Sequence, residues 1–469
     1  MDPKIAATVL TLLLLVFSAQ NQKPSDAVVQ PPADAHNVAS VSSARHEGAT
    51  HTAANAGTVA AVKGRPSPML EPGTPATVEE RARLRKGPGT TYATISKIDV
   101  GARLTVLARL NDWYQVRLSD GQVGWVAGFL IRAPGEPPSH SGVSQRQTGG
   151  IRQVLGYYTE DYPGDPTSYG SLLRQANFLD YVATFLYAVD ANGRISGTPS
   201  KRAMDVAKSG QVRTLALVHN LTPSGFDGKR AHVLLQNANS RAKAISDILD
   251  ILQRGEYYGV NVDLENVYPS DRENLTAFMT ELAARLRPRG YLVTISVPAK
   301  TADHATSTWV GAFDYYALGR ICDFVMLMTY DEHAWTSGPG PIASHGWVEK
   351  VVRYAITQIP RNKILLGIPA YGYDWNLATG RVTALSYTQA MNRAKKLGID
   401  PLWDSTSKSP YFKYVENGAR HEVWFESSHS VRPKLDLVNK YDLGGIAIWK
   451  LGYEDGAFWE VIREKLRNS

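Results

Sequence analysis

From about residue 151 onward, apolar positions come in short, nearly unbroken runs: VLGYYTE, YVATFLYAVD, VRTLALVHN, GVNVDLEN, YLVTISVPA, CDFVMLMTYD, ILLGIPAYGYDW and GGIAIWKLGYED. Runs of this length without polar alternation describe strands buried on both faces. Between them lie segments with apolar residues at helical spacing, such as SRAKAISDILDILQRG, RENLTAFMTELAARLRPRG and VEKVVRYAITQI. Eight strands alternating with helices predict an α/β chain folded as a (β/α)8 TIM barrel; an open doubly wound sheet competes, and the count of eight favours the barrel. The segment 376–442 is too long for one loop and one helix, which predicts a small α+β insertion before the last strand.

Residues 76–133 carry a different pattern. LTVLARL and WYQVRL alternate with period two, and Asp120-Gly121 supplies a turn before VGWV, so this stretch predicts a small all-β barrel of hairpins. Flanking stretches at 21–75 and 134–150 are rich in Ala, Ser, Pro, Gly and His without sustained periodicity and read as linkers. His36, His46 and His51 lack metal-ligand spacing and read as solvated linker residues. Residues 1–20, with MDPK before IAATVLTLLLLVF, read as a signal peptide or an uncleaved N-terminal anchor. Both readings place the remainder, including 151–469, outside the cytoplasm, and only an uncleaved segment implies a membrane partner.

A chain of 469 residues with 43% hydrophobic and 20% charged residues can bury substantial cores, which excludes global disorder. The formal charge of +7 suits an anionic partner such as a bacterial wall, and equally a merely basic soluble protein. No zinc-ligand spacing, basic helix or aromatic-basic motif supports a nucleic-acid partner. Cys322 is the only cysteine, so no intramolecular disulfide forms, and its apolar run ICDFVMLM makes it a buried small hydrophobe.

Candidate chemistry concentrates on the fourth strand. Alternation points Asn261, Asp263 and Glu265 to one face and Val260, Val262 and Leu264 to the other. The apolar three suit the helix layer, so the polar three face the barrel axis, with Glu265 nearest the C-terminal mouth where barrel enzymes work. Two residues of strand rise about 6.6 Å, close enough for Asp263 and Glu265 to oppose each other's ionisation. One carboxyl then stays protonated, as a general acid requires; the competing reading is a polar layer that stabilises the barrel.

GVNVDLEN, MLMTYD and GGIAIWKLG resemble the family 18 glycoside hydrolases, and NVDLENVYPSDRENLTAFMTELAARLRPRGYLVTISVPAKT, ICDFVMLMTYDEHAW and KILLGIPAYGYDW look like the spore cortex-lytic N-acetylglucosaminidases within that family. The resemblance implies substrate-assisted, retaining cleavage of β-1,4 N-acetylglucosaminyl linkages without cofactor or metal. It implies Glu265 as acid and base, Asp263 as holder of the 2-acetamido group, Tyr330 as its hydrogen-bond donor, Asp331 as a positioning group and Trp449 as the floor beneath the sugar. Where the family motif has aspartates, this chain has Tyr258 and Asn261. Strand position adds Tyr158, Tyr187 and Asn220, and Trp335, Trp375 and Trp403 in the segments after strands six and seven, each either a sugar contact or ordinary packing. LRKGPGT, DWYQVRL and GQVGWV resemble the bacterial SH3-like domain, which implies wall binding, with Trp113 and Trp125 as stacking or packing residues. The expected partner is therefore peptidoglycan, with chitin and a non-catalytic glycan-binding role as the alternatives.

Overall fold

The computed structural model describes residues 70–78, 82–88, 92–99, 101–110, 113–127, 131–132 and 152–467. The expected N-terminal export segment, most of the first linker and the second linker lie outside these residues. Among the described residues no helix is long and apolar enough to cross a membrane. Two compact units result, described separately.

The smaller unit is a seven-stranded antiparallel sheet curled around Ala76, Val78, Leu84, Val106, Val116 and Val126. Its core is short because each strand gives only alternate residues to the inside. Trp113 lies opposite Ala127, and Trp125 opposite Gln115 and Arg85. Both indoles are half-buried and outside the core cluster.

In the larger unit, eight parallel strands close into a barrel: Gln153–Tyr158, Tyr181–Val189, Arg213–His219, Gly259–Asp263, Leu292–Pro298, Phe324–Met328, Ile364–Pro369 and Gly445–Trp449. The eighth pairs with the first, and the first with the second, which closes the ring. Each strand feeds two cores. Val154, Val182, Ala216, Val260, Val293, Val325, Ile364 and Ile446 pack outward against the helices. Leu155, Tyr181, Ala183, Leu215, Leu217, Phe324, Met326, Leu365 and Ala447 fill the interior. This double burial is why the strands read as continuous apolar runs. Gly259 opens the fourth strand because a Cβ there would sit 2.3 Å from the Leu292 carbonyl oxygen. Cys322 is fully buried, and burial pushes its thiol up to about 12.

The insertion is a five-stranded antiparallel sheet, from Tyr371–Asn376 to Ala419–Phe425, with the helix Tyr387–Leu397 beside it. Its bounds differ from the expected 376–442 at both ends. The run ILLGIPAYGYDW divides at Ala370, so YGYDW is the insertion's first strand rather than the end of the seventh barrel strand. Ser428–Lys440 is a barrel helix, started by a capping box at Ser427 and packed through Val431, Leu435 and Val438.

Candidate active site

The fourth strand presents the polar face that alternation requires. Asn261 is fully buried: its amide donates to Thr294 Oγ1 at 3.1 Å and approaches Met326 Sδ at 3.6 Å, while its Oδ1 accepts from Ser296 Oγ at 3.0 Å. Ser296 in turn lies 2.9 Å from the Tyr157 hydroxyl. These contacts satisfy the lower polar layer. One residue pair higher, the arrangement changes: Asp263 is 4% exposed, and its Oδ1 is buried without a hydrogen-bond partner among the described residues. A buried carboxylate oxygen left unpaired costs free energy, and such a cost persists where a ligand supplies the partner.

Burial is the main cause that pushes the Asp263 carboxyl up to about 7, opposed by the neighbouring Ser296 hydroxyl. Glu265 lies well above the ordinary carboxylate range, again chiefly through burial, with the charges of Asp263 and Asp331 adding to it. The sequence suggests repulsion between the two carboxyls; the structure makes desolvation the larger effect and repulsion the second. The consequence for stability has a definite sign. The folded state holds the Asp263 proton more tightly than the unfolded chain, so its stabilisation is present at low pH and is lost as pH rises from about 4 through about 7. Asp263→Asn is therefore expected to raise thermal stability at pH 8 by up to about 4 kcal/mol, with the difference shrinking at pH 4. Thermal unfolding of both proteins across that range checks it; a constant difference rules out the titration.

Asn220 is fully buried and spends its whole side chain on the backbone around the acid. Its Oδ1 accepts from the Glu265 N–H at 2.9 Å, and its Nδ2 donates to the Glu265 and Asp227 carbonyls at 2.9 and 3.0 Å. This corrects the expectation of a sugar contact: no donor or acceptor on Asn220 faces the cleft unspent.

Two further expectations are corrected by strand geometry. Tyr158 belongs to the outer core and donates to Glu160 at 2.6 Å; the inward tyrosine is Tyr157, its neighbour. Tyr187 also faces the helices, bonded to the Tyr257 hydroxyl at 3.1 Å. The cause is a β-bulge: the third strand pairs Leu217 with Phe185 but Val218 with Tyr187, skipping Leu186 and reversing the alternation. Phe185 is the inward aromatic of the second strand, stacked on His219 with ring centres 4.2 Å apart.

Trp449 ends the eighth strand with its ring against Tyr157 and Phe185 at 5.3 and 5.7 Å, and a cis peptide joins it to Lys450. The Lys450 ammonium is held by Asp161 at 2.8 Å and Thr159 at 2.9 Å. Tyr330 follows the sixth strand. Burial chiefly, with Tyr157, Asp263 and Glu265 nearby, holds its phenol well above the ordinary value, so it remains a neutral donor. Asp331 has a positive φ of 58° and opens to solvent, and its Oδ1 accepts from Tyr371 at 2.5 Å and Tyr373 at 2.9 Å. Trp335 packs edge-on against Tyr373 at 5.1 Å. Trp375 is 3% exposed with its indole N–H on the Ala334 carbonyl, so it is packing rather than a platform. Trp403 lies on the insertion's edge strand against His429, apart from this aromatic cluster.

Tyr258 lies before the fourth strand, at the opposite end from Glu265, and is 55% exposed. Its substitution for an aspartate therefore leaves the mouth of the barrel untouched. Trp309 escaped sequence reading because it sits in a loop without periodicity. It borders a depression with Glu265, Asn266, Pro298, Phe313 and Met328.

The fourth strand thus ends in two carboxyls held above their ordinary range, Asp263 and Glu265, with the neutral phenol of Tyr330 nearby. Residues 153–454 match the model of the Glycosyl hydrolases family 18. The chain belongs to that family. Residues 80–131 match the Bacterial SH3 domain. The chain is 32% identical over 315 residues to the "Uncharacterized glycosylase YvbX" of Bacillus subtilis (strain 168), covering 66% of this chain and 90% of the relative. It is 33% identical over 294 residues to the "Cortical fragment-lytic enzyme" of Bacillus cereus, covering 61% and 68%. The crystal structure of a chitinase from Chromobacterium violaceum ATCC 12472 superposes with TM-score 0.63 at 32% identity, covering 68% of this chain and all of that one. This family 18 protein is thus a glycoside hydrolase related to cortex-lytic enzymes and chitinases, acting on N-acetylglucosamine-containing polysaccharide.

Proposed function

We propose that the enzyme cleaves β-1,4 N-acetylglucosaminyl linkages of peptidoglycan, outside the cytoplasm, by substrate-assisted retaining catalysis. The observation that carries this reading is the Asp263–Glu265 pair, with Asp263 buried, Glu265 half-buried and one Asp263 oxygen left unpaired. In the first step the acetamido carbonyl oxygen of the reacting sugar bonds to the anomeric carbon. The glycosidic bond breaks with its electron pair on the leaving oxygen, which takes the proton of Glu265. Asp263 accepts the acetamido N–H and stabilises the cyclic oxazolinium cation, and Tyr330 donates to the acetamido oxygen. Water then adds to the anomeric carbon, gives its proton back to Glu265 and reopens the ring with retained configuration. Trp449 forms the floor under that sugar, and Asp331 positions it with the two tyrosines it binds. Asn261, neutral and fully hydrogen-bonded, holds Ser296 in place below Asp263.

Three features support the wall over chitin: a relative whose name is a cortical fragment-lytic enzyme, the bacterial SH3 module and the net charge of +7. The SH3 module is read as the wall-binding part, and residues 1–20 as the export signal or anchor. Chitin is favoured by the similarity to the Chromobacterium chitinase and to the Di-N-acetylchitobiases. Digestion of purified peptidoglycan and of chitin, with mass spectrometry of the released ends, decides between them. The expected products from peptidoglycan carry N-acetylglucosamine at the new reducing end; release from chitin alone sinks the assignment.

A further inference from the structure

The helix Tyr387–Leu397 of the insertion carries polar side chains on one side in a pattern that its packing does not explain. Spacing of three and four residues puts Gln389, Asn392, Arg393 and Lys396 on one face, while Ala390 and Ala394 are buried in the insertion's core. All four polar residues line a cavity of about 370 Å³, and none of them belongs to the site around Glu265.

Arg393 is fixed from behind. Asp374, 3% exposed, accepts from the Tyr414 hydroxyl at 2.6 Å, lies 2.9 Å from His421 Nδ1 and pairs with Arg393 Nη1. The same Nη1 donates to the Tyr414 hydroxyl oxygen at 3.3 Å. A structural pair between an arginine and a carboxylate commonly uses two nitrogens of the fork. Here one nitrogen serves both protein acceptors, and Nε and Nη2 have no hydrogen-bond partner among the described residues. That remaining edge is the one that fits a second carboxylate, and the buried anchor orients it in advance. A solvated helix face accounts for the exposed Lys396 and Asn392, but not for a guanidinium held at a single nitrogen by a buried acid.

The rest of the lining adds to this. Gln389 uses its Oε1 on the Ser386 N–H at 2.8 Å, and its amide nitrogen is unspent among the described residues. Glu416, the last residue of the strand Ser409–Glu416, brings one exposed negative charge without an ion pair among those residues. Leu385 and Leu397 supply an apolar wall for a small side chain. The cavity thus offers a fork and an ammonium to an anion, a carboxylate to a cation, and a volume within the range of small-ligand sites.

We propose that this cavity binds the carboxylate end of a peptide that also carries an ammonium group, with Arg393 and Lys396 on the carboxylate and Glu416 on the ammonium. Peptidoglycan carries such peptides on its glycan strands, and chitin has none. Naming the wall as the source rests on the function proposed above; the site itself does not. The test is calorimetric titration of the full-length protein with Nα-acetyl-lysyl-alanine, with its C-terminal amide, and with Nα-acetyl-alanyl-alanine, which lacks the ammonium. The first is expected to bind with a dissociation constant of about 1 mM or below, the amide about tenfold more weakly and the alanyl peptide about threefold more weakly. Arg393→Lys keeps the charge but removes the fork, and is expected to weaken the first peptide about tenfold. Lys396→Gln is expected to weaken it about threefold, and Glu416→Gln to make the lysyl and alanyl peptides bind alike. These last two positions are exposed and unpaired among the described residues, so both variants are expected to fold and to keep the wild-type kcat on an N-acetylglucosamine oligosaccharide. Equal affinity for acid and amide, no saturable binding up to about 20 mM, or unchanged binding in all three variants overturns the proposal. Dipeptide binding by a protein that leaves peptidoglycan uncut upholds the site and removes the wall as its source. Cleavage of peptidoglycan without dipeptide binding overturns this inference alone.

Discussion

Glu265→Gln is expected to lower kcat on N-acetylglucosamine oligosaccharides by about 10^2- to 10^4-fold, the span associated with a positioned general acid. The amide keeps the shape of the carboxylic acid and can donate a hydrogen bond to the glycosidic oxygen, but it cannot give up a proton. Because the Glu265 carboxyl is held protonated by burial and by its neighbours, the substitution exchanges one neutral group for another. Substrate affinity is accordingly expected to change by less than about threefold, since uniform binding is retained while a contact made only in the transition state is lost. Turnover assays paired with calorimetric binding of an oligosaccharide check both halves. Equal turnover by wild type and variant excludes Glu265 as the acid. Loss of binding together with turnover instead indicates a collapsed site.

The (β/α)8 barrel was legible in the sequence because both faces of its strands are buried, so the apolar runs survive in the residue order. Glu265, Asp263 and Asn261 were legible for the complementary reason. They are polar residues at period two within such a run, and no core packing explains them. What failed is equally specific. Tyr158 lies near a strand end, which points to the mouth, while parity with Leu155 puts Tyr157 inside. Tyr187 has the correct parity for the interior and loses it to the bulge at Leu186, which leaves no mark in the order of residues. ILLGIPAYGYDW reads as one strand because the chain passes from barrel to inserted sheet without a break in burial. Trp375 and Trp309 show the same limit in opposite directions: burial sets the first, in the inserted sheet's first strand, into packing and leaves the second, in a loop, exposed.

Asn220 has the second large expected effect, and it separates the two roles the residue has been given. As a sugar contact, its loss acts on KM; as the clamp on the Glu265 backbone, its loss acts on kcat. The surrounding interlock favours the clamp. Asn266 donates to the Phe226 carbonyl at 2.9 Å, and Gly228 admits the Asn266 carbonyl so closely that a Cβ would lie 2.3 Å from it. The loops after the third and fourth strands are thus fitted to each other, with the Asn220 side chain bonded to both the N–H and the carbonyl of Glu265. Asn220→Ala leaves the buried Glu265 N–H without its acceptor, a cost of about 1–3 kcal/mol. It also frees the acid to shift, and a displacement near 1 Å costs about 10^2-fold in rate. The expected result is a fall in kcat of about that size, with KM changed by less than about threefold. Asn220→Asp keeps the acceptor but loses both donated bonds and sets a carboxylate oxygen against the Glu265 and Asp227 carbonyls, so kcat is expected to stay low while the added negative charge moves the basic limb of the pH profile upward. A residue that merely stabilises the fold would lower Tm without that displacement, and a sugar contact would raise KM with kcat retained.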